Sequence, residues 1–150
     1  MSIPQIGDKA PAFSGVNQKG DKISLHGYAG KKLVLYFYPK DDTPGCTAQA
    51  CNLSENYTEL RAQGYQVLGV SPDNEKKHQK FIDKYQLTFD LLADTEKEAI
   101  EAYGVWVQKS MYGRHYMGVA RTTFIIDENG VIEDIIEKVK TKEHTAQILK

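Results

Sequence analysis

Residues 33–51 read LVLYFYPKDDTPGCTAQAC, and this stretch contains both cysteines of the chain, Cys46 and Cys51. Its first six residues are apolar or aromatic, which is typical of a strand that is buried on both faces. A loop with two prolines follows, and the apolar spacing beyond it predicts a helix from Thr47 to Gln63 that stops at Gly64. The sequence therefore predicts a buried strand that leads through a turn-rich loop to a cysteine at the start of a helix.

The expected position of Cys46 favours a reactive thiol. The first turn of a helix has unpaired N–H groups and about half a positive charge, so it stabilises an anion. The thiolate is such an anion, and it is the nucleophilic form of cysteine. Pro44 suits the first helical turn because it lacks an N–H and its φ is fixed. Thr43 either caps the helix with its hydroxyl or directs that hydroxyl at the molecule that the sulfur attacks. We interpret Cys46 as an activated nucleophile.

The separation of the two cysteines leads to a second expectation. On an intact α-helix, Cα atoms five residues apart lie about 8.6 Å from each other. A disulfide requires Cα atoms within about 7 Å. Either Cys46 and Cys51 never form a disulfide, or the first helical turns unwind when they do. The second alternative describes a redox cycle that is coupled to local unfolding.

The composition is that of an ordinary globular protein. The chain has 150 residues, 41% of them hydrophobic and 26% charged, which predicts a single domain over residues 1–150 with a sizeable core. Its net charge of −1 gives no electrostatic reason to bind nucleic acid or an anionic membrane. Its apolar runs are too short for a membrane span, and its first residues do not resemble a signal peptide. We therefore expect a soluble, cytoplasmic protein with a redox-active pair of cysteines.

Strands and helices alternate through most of the chain, and a pair of antiparallel strands follows. The patterns predict a hairpin over residues 12–25, strands at 32–38, 65–71 and 89–92, and helices that end near Tyr85 and Tyr103. Residues 108–120 are predicted to be a loop. A second hairpin joins residues 122–127 to residues 131–139, and a last helix runs from Thr141 or Lys142 to Lys150. This order predicts an α/β, thioredoxin-like fold, with a mixed central β-sheet flanked by helices and an N-terminal β-hairpin.

The same stretch resembles the signature of the peroxiredoxins, Pro-x-x-x-Thr-x-x-Cys, which is present here as Pro39, Thr43 and Cys46. Within that family the chain is most similar to the bacterioferritin comigratory protein (PrxQ) branch, whose second cysteine, five residues later, matches Cys51. The arginine that the family carries just before a Thr-Phe-Ile-Ile-Asp strand matches Arg121. Residues 109–118 are also typical of the branch, so the resemblance covers nearly the whole chain.

The resemblance implies a thiol-dependent peroxidase that reduces hydrogen peroxide and organic hydroperoxides, with a role in antioxidant defence and redox homeostasis. Cys46 is then the peroxidatic cysteine, which becomes a sulfenic acid. Cys51 is the resolving cysteine, which condenses with it to a disulfide that thioredoxin or a similar dithiol reductant recycles. Thr43 would hydrogen-bond the peroxide, Arg121 would favour the thiolate and bind a peroxide oxygen, and Pro39 would shield the sulfenic acid from water. No cofactor and no metal are expected.

One position beside Cys46 departs from the branch. Gln49 stands where the branch often has glutamate, so a negative charge is missing about one helical turn from the sulfur. The role of that glutamate is therefore not transferred to Gln49.

Two other functions use a pair of cysteines. A thioredoxin-like disulfide reductase or isomerase would carry Cys-x-x-Cys, whereas four residues separate the cysteines of this chain. A redox-sensing or chaperone-like binding module would be oxidised slowly and without turnover. The sequence also leaves the oligomeric state open, and we expect a monomer with a dimer as the alternative.

Overall fold

The computed structural model describes residues 3–149 of the chain. It contains the predicted N-terminal hairpin, in which β1 (Ser14–Val16) and β2 (Lys22–Ser24) pair antiparallel. The side chain of Asn17 holds the turn, because its Oδ1 accepts hydrogen bonds from the backbone N–H groups of Lys19 and Asp21. Asparagine favours turns for this reason.

A five-stranded sheet forms the centre of the fold. The remaining strands are β3 (Lys32–Phe37), β4 (Tyr65–Ser71), β5 (Asp90–Ala93), β6 (Trp106–Met111), β7 (Arg114–Val119), β8 (Thr122–Ile126) and β9 (Ile132–Ile136). The central sheet has the order β5-β4-β3-β8-β9, whereas β6 and β7 pair only with each other. β3, β4 and β5 run parallel, and β8 is antiparallel to both β3 and β9. The sheet is therefore mixed, as predicted.

Both faces of the sheet are buried because β3 is apolar at almost every position. Leu33, Leu35 and Phe37 belong to one hydrophobic core. Val34, Tyr36 and Tyr38, which alternate with them, belong to a second core on the opposite face. This alternation follows from the period of two residues in a strand. The second core contains Cys46, so the thiol lies against the sheet.

Within residues 3–149 the fold is completed by a 3-10 helix (Leu25–Tyr28) and five α-helices: α1 (Pro44–Glu55), α2 (Tyr57–Ala62), α3 (Glu75–Tyr85), α4 (Glu98–Ala102) and α5 (His144–Leu149). The buried residues of α1 are Cys46, Gln49, Ala50 and Leu53. Their spacing of three and four residues is that of one helical face. Cys46 and Gln49 therefore share the face that α1 presents to the sheet.

The prediction of one helix from Thr47 to Gln63 is wrong in two respects. The helix begins earlier, at Pro44, and it is interrupted at Asn56, which separates α1 from α2. The side chain of Asn56 donates from Nδ2 to the carbonyl oxygen of Asn52 at 2.8 Å. Asparagine competes with the backbone for such hydrogen bonds, which explains why the helix does not continue.

The prediction that residues 108–120 form a loop is also wrong. They contribute most of the β6–β7 hairpin, whose turn consists of Tyr112 and Gly113 with φ of 53° and 80°. Two consecutive residues with positive φ give a tight turn whose twist matches that of the strands. Because most residues of the hairpin are exposed, its strands lack a clear alternation of apolar and polar residues. Gly113 was the signal that could have identified the turn.

The ends of the last two elements also differ from the prediction. β9 ends at Ile136, and α5 begins at His144. The predicted extension of the last helix to Lys150 lies outside the described residues.

Within the described part of the chain, no helix is long and apolar enough to cross a bilayer. A spanning helix needs about 20 residues, and α1, the longest described helix, has 12.

His144 connects α5 to the sheet from a fully buried position. Its Nε2 accepts a hydrogen bond from the Thr123 hydroxyl at 2.8 Å, and its Nδ1 donates to Gln147 Oε1 at 2.9 Å. Burial lowers the pKa of His144 below its usual 6.5, the hydrogen bond to Gln147 opposes this shift, and the charge of Arg121 adds to it. The folded protein therefore holds His144 in its neutral form.

We predict that His144 makes the protein less stable in mild acid. Below pH 6.5 the unfolded chain binds a proton at this residue more readily than the folded protein, so stability present at pH 7 is lost as the pH falls. The melting temperature should fall more steeply from pH 7 to pH 5 in the parent than in His144→Asn. His115→Asn, at an exposed position, is the control and should keep the slope of the parent. Equal slopes for the parent and His144→Asn would contradict the prediction.

Candidate active site

Cys46 is the third residue of α1, directly inside its N-terminus. Thr43 has the extended backbone of a cap residue, with φ −99° and ψ 155°, and Pro44 occupies the first helical turn as predicted. The first hydrogen bond of the helix runs from Thr47 N to Thr43 O at 2.8 Å. The N–H groups before Thr47 therefore have no partner within the helix, and Cys46 lies at the positive end of the helix dipole. Only 2% of Cys46 is exposed.

Arg121 provides a full positive charge at the sulfur. Its Nη2 donates to Cys46 Sγ at 3.2 Å, and its Nη1 donates to Gln49 Oε1 at 2.7 Å. The planar guanidinium thus spans one turn of α1 and contacts two residues of the same helical face. Gly45 permits this approach, because a Cβ at that position would lie 3.2 Å from Nη2. A guanidinium in contact with a thiol favours the thiolate.

Three buried polar atoms on residues at or near Cys46 have no hydrogen-bond partner among the described residues. Within residues 3–149 the buried side-chain atoms without a hydrogen-bond partner are Tyr36 OH, Thr47 Oγ1 and Gln49 Nε2. Burial, and then the charge of Cys46, raise the pKa of Tyr36 well above its usual 10.0, so its hydroxyl stays a donor. Buried polar groups normally have partners. Three unpartnered polar atoms on residues at or near Cys46 are therefore an unusual feature of this part of the core.

Thr43 and Pro39 lie in the loop before α1, where the sequence places them. The Thr43 hydroxyl does not cap the helix and instead donates to the carbonyl oxygen of Lys40 at 2.9 Å. Capping was one of the two alternatives for Thr43, and it is wrong. Pro39 lies two residues after the end of β3 and is half-buried. The structure thus brings Cys46 and Arg121 into contact and positions Thr43 and Pro39 on the adjoining loop.

Cys51 lies in the same unbroken helix as Cys46, and both residues are free thiols. Cys51 is partly exposed. Burial, and then the charge of Glu55, raise the pKa of Cys51 above its usual 9.0. Because both cysteines lie in one intact helix, a bond between their sulfurs requires that α1 unwinds.

Lys109 of β6 is a second cation near the site, and the sequence did not identify it. Burial, and then the charge of Arg121, lower the pKa of Lys109, whereas the charge of Cys46 raises it. Lys109 pairs across the hairpin with Tyr116. The β6–β7 hairpin therefore contributes to the electrostatics of Cys46, which the prediction of a loop could not show.

A group of potential metal ligands includes Asp41 of the loop before α1, residues 39–43, which we name the catalytic loop. The ligand atoms of Asp41, Asp73 and His78 lie within 4.8 Å of one another, and all three residues are buried. These atoms already hydrogen-bond to each other and to neighbouring groups, among them the Tyr38 hydroxyl at 2.5 Å and the Leu92 carbonyl at 2.9 Å. The group is thus a hydrogen-bonded network.

A helix-terminal thiol in contact with the arginine that directly precedes β8 is the arrangement that the sequence resemblance implied. Comparison with known proteins identifies the family. The AhpC/TSA family model matches residues 6–135. This chain belongs to the AhpC/TSA family. Two relatives named peroxiredoxin Bcp are each 43% identical to this peroxiredoxin. The Escherichia coli K12 protein matches 99% of this chain and 96% of its own length, and the Bacillus subtilis 168 protein matches 97% and 92%.

A solved structure gives the same result for the fold. A PrxQ mutant from Xylella fastidiosa superposes with a TM-score of 0.91 at 30% sequence identity, over 99% of this chain and 95% of that one. The resemblance to the PrxQ branch and the thioredoxin-like fold are therefore confirmed for this peroxiredoxin.

We predict that Arg121 makes Cys46 reactive toward any electrophile. In a Cys51→Ser background, Arg121→Met should slow the alkylation of Cys46 by iodoacetamide about tenfold or more at pH 7, because the thiolate loses its contact with the guanidinium. Arg114→Met, which removes an exposed arginine of β7, should alkylate like the background. An unchanged rate in Arg121→Met would show that the arginine does not activate the thiol.

Proposed function

We propose that this peroxiredoxin reduces hydrogen peroxide and organic hydroperoxides through Cys46, in the cytoplasm and within one domain of residues 1–150. The observation that carries the proposal is the 3.2 Å contact between Arg121 Nη2 and Cys46 Sγ at the N-terminus of α1. A thiolate in this position is a nucleophile, and the same cation can neutralise charge that develops on a peroxide oxygen. No cofactor takes part.

In the first step the Cys46 thiolate attacks the terminal oxygen of the peroxide. A sulfur–oxygen bond forms, the oxygen–oxygen bond breaks, and the leaving alkoxide or hydroxide takes up a proton. Cys46 becomes a sulfenic acid, and the products are an alcohol or water. Arg121 and the free N–H groups of the first turn of α1 would hold the two peroxide oxygens. Thr43 would direct the peroxide from the loop, and Pro39 would limit the access of water.

In the second step Cys51 attacks the sulfur of the sulfenic acid, and water leaves. The product is a disulfide between Cys46 and Cys51, which needs the first turns of α1 to unwind. Asn52 opposes this movement, because its Nδ2 donates to Lys142 O at 3.0 Å and its Oδ1 accepts from Thr145 N at 2.8 Å. These bonds attach α1 to α5 and its preceding loop directly after Cys51.

The cycle closes when a dithiol reductant such as thioredoxin exchanges with the disulfide. The exchange oxidises the reductant and returns Cys46 and Cys51 to thiols. A family of thiol peroxidases and two cysteines on one helix support this step. We propose that the protein acts as a monomer, with a dimer as the alternative, and that it serves antioxidant defence and redox homeostasis.

The assignment of the two cysteines can be tested by counting thiols. One equivalent of hydrogen peroxide should remove both thiols of the reduced parent within seconds. Cys51→Ser should accumulate a sulfenic acid that dimedone traps, and Cys46→Ser should not react. Loss of both thiols only over minutes would indicate a slow sensor, and intact thiols would contradict the peroxidase.

The second prediction for the cycle concerns the release of α1. Asn52→Ala should speed disulfide formation after sulfenic acid formation by up to about thirtyfold, because two hydrogen bonds of about 1 kcal/mol each no longer resist unwinding. The yield of sulfinic acid at high peroxide should fall accordingly. Stopped-flow fluorescence and intact mass spectrometry measure the two quantities.

Lys142→Ala is the matched control for Asn52→Ala. Asn52 bonds to the main-chain carbonyl of Lys142, so removal of the lysine side chain leaves the contact in place. Its rate of disulfide formation should equal that of the parent. If Asn52→Ala also keeps the parent rate, the attachment of α1 to α5 does not limit the cycle.

A further inference from the structure

A buried pair of ionisable residues joins the catalytic loop to α3 and has no part in the chemistry described above. His78 of α3 is fully buried, and Asp41 of the catalytic loop is 9% exposed. His78 Nδ1 lies 2.6 Å from Asp41 Oδ2, and His78 Nε2 lies 2.9 Å from the carbonyl oxygen of Leu92. Both ring nitrogens therefore face oxygen atoms.

The hydrogen-bond partners define how many protons the pair holds. A carbonyl oxygen only accepts, so Nε2 must carry the proton that it donates to Leu92. Two lone pairs cannot face each other at 2.6 Å, so a second proton lies between Nδ1 and Asp41 Oδ2. The pair is either imidazolium with carboxylate or neutral imidazole with carboxylic acid. Its net charge is zero in both cases.

Asp41 is held at its other atoms as well. Tyr38 OH donates to Oδ1 at 2.5 Å, and the backbone N–H of Asp41 donates to Asp73 Oδ2 at 2.7 Å. Asp73 Oδ2 also accepts from the Ser71 hydroxyl at 2.9 Å. Each polar atom of the Asp41 side chain and its N–H thus has a buried partner. Fully satisfied networks of this kind hold a segment in one conformation.

α3 also holds the next residue of the loop. Asp42 has a positive φ of 59°, which is unusual for a residue other than glycine. Its carboxylate accepts from Lys84 Nζ at 2.8 Å and from Tyr85 OH at 2.6 Å. Asp41 is thus attached to the start of α3 and Asp42 to its end. The turn that leads into Thr43 and α1 therefore depends on α3.

Tyr36 links the pair to the thiol. Its ring stacks on that of Tyr38, with centroids 5.3 Å apart, and the Tyr38 hydroxyl donates to Asp41. Tyr36 also belongs to the same core as Cys46. Burial, then the charge of Cys46 and then that of Asp41 raise the pKa of Tyr36. A carboxylate at Asp41 without the proton of the pair would oppose a thiolate at Cys46. Other ionisable groups around His78 are Tyr38 and Asp73, and Lys77 forms an ion pair with Asp73 at 3.8 Å.

We propose that Asp41 and His78 are positioning residues for Cys46: together they hold the catalytic loop in place and keep the Asp41 carboxylate neutralised beside the thiolate. The role within catalysis rests on the proposed peroxidase function. The Asp41–His78 pair would act on the thiolate of Cys46 itself. The rate at which an alkylating reagent modifies Cys46 therefore measures the influence of the pair without any peroxide.

The test compares four variants of Cys51→Ser protein by the rate of iodoacetamide alkylation from pH 5 to pH 10, and then by the rate of the peroxide reaction. His78→Phe leaves Asp41 Oδ2 without its partner. Asp41→Asn keeps the bonds, because its amide can donate to a neutral His78 and accept from Tyr38. The double variant combines the two changes. Lys76→Ala, at an exposed position of α3, is the control.

His78→Phe should react with peroxide tenfold to a hundredfold more slowly at pH 7, the loss expected when a reacting group is misplaced. The pH midpoint of its alkylation should move to higher pH. The double variant should return that midpoint to the parent value because the carboxylate is gone. Asp41→Asn should stay within about threefold of the parent in rate, and Lys76→Ala should match it. A merely structural role would not make the midpoint depend on the charge at Asp41.

An unmoved midpoint in His78→Phe, or the same midpoint in the single and double variants, would overturn the proposal. His78→Gln, which can serve one of the two hydrogen bonds, replaces His78→Phe if the latter does not fold, with a smaller shift in the same direction. If Cys46 of the parent is alkylated rapidly but does not react with peroxide, the proposed peroxidase function is wrong. The pH midpoints of alkylation in the variants would still decide whether Asp41 and His78 position Cys46.

Discussion

The contact between Arg121 and Cys46 depends on the register of the central sheet. Arg121 directly precedes β8, whose first residue, Thr122, pairs with Phe37 at the end of β3. β3 leads into the catalytic loop, so the two strands deliver the guanidinium and the thiol to the same edge. A slip of one residue between them would turn the arginine to the opposite face of the sheet. The reactive site is thus a consequence of how β3 and β8 pair.

Much of this arrangement could be predicted from the sequence because local rules govern it. The apolar run before Pro39 specifies a strand buried on both faces, and Pro44 specifies the first turn of a helix. Cys46 then has to lie near unpaired N–H groups. Arg121 was found through family resemblance, since no local rule indicates which cation reaches a thiol 75 residues away. The partner of its second nitrogen, Gln49, appeared only in the structure.

The features that the sequence did not reveal are polar groups that meet over long distances along the chain. Asp41 and His78 are 37 residues apart, and each looks like a surface residue in its own segment. Burial is decided by the packing of α3 against the sheet, which periodicity does not report. The β6–β7 hairpin escaped notice for a related reason. Most of its residues are exposed, so the hydrophobic alternation that identifies strands is weak.

The interruption at Asn56 has a consequence for how the molecule can open. Stability is distributed over cooperative segments, and a break in a helix is a natural boundary between two of them. In the cycle that we propose, the unwinding of α1 would therefore end at Asn56 at the latest, while α2 keeps Leu60 fully buried in the second core. The oxidised enzyme would retain most of its native packing. The break in the helix would thus confine the rearrangement of each proposed turnover to one segment and leave the domain around it folded.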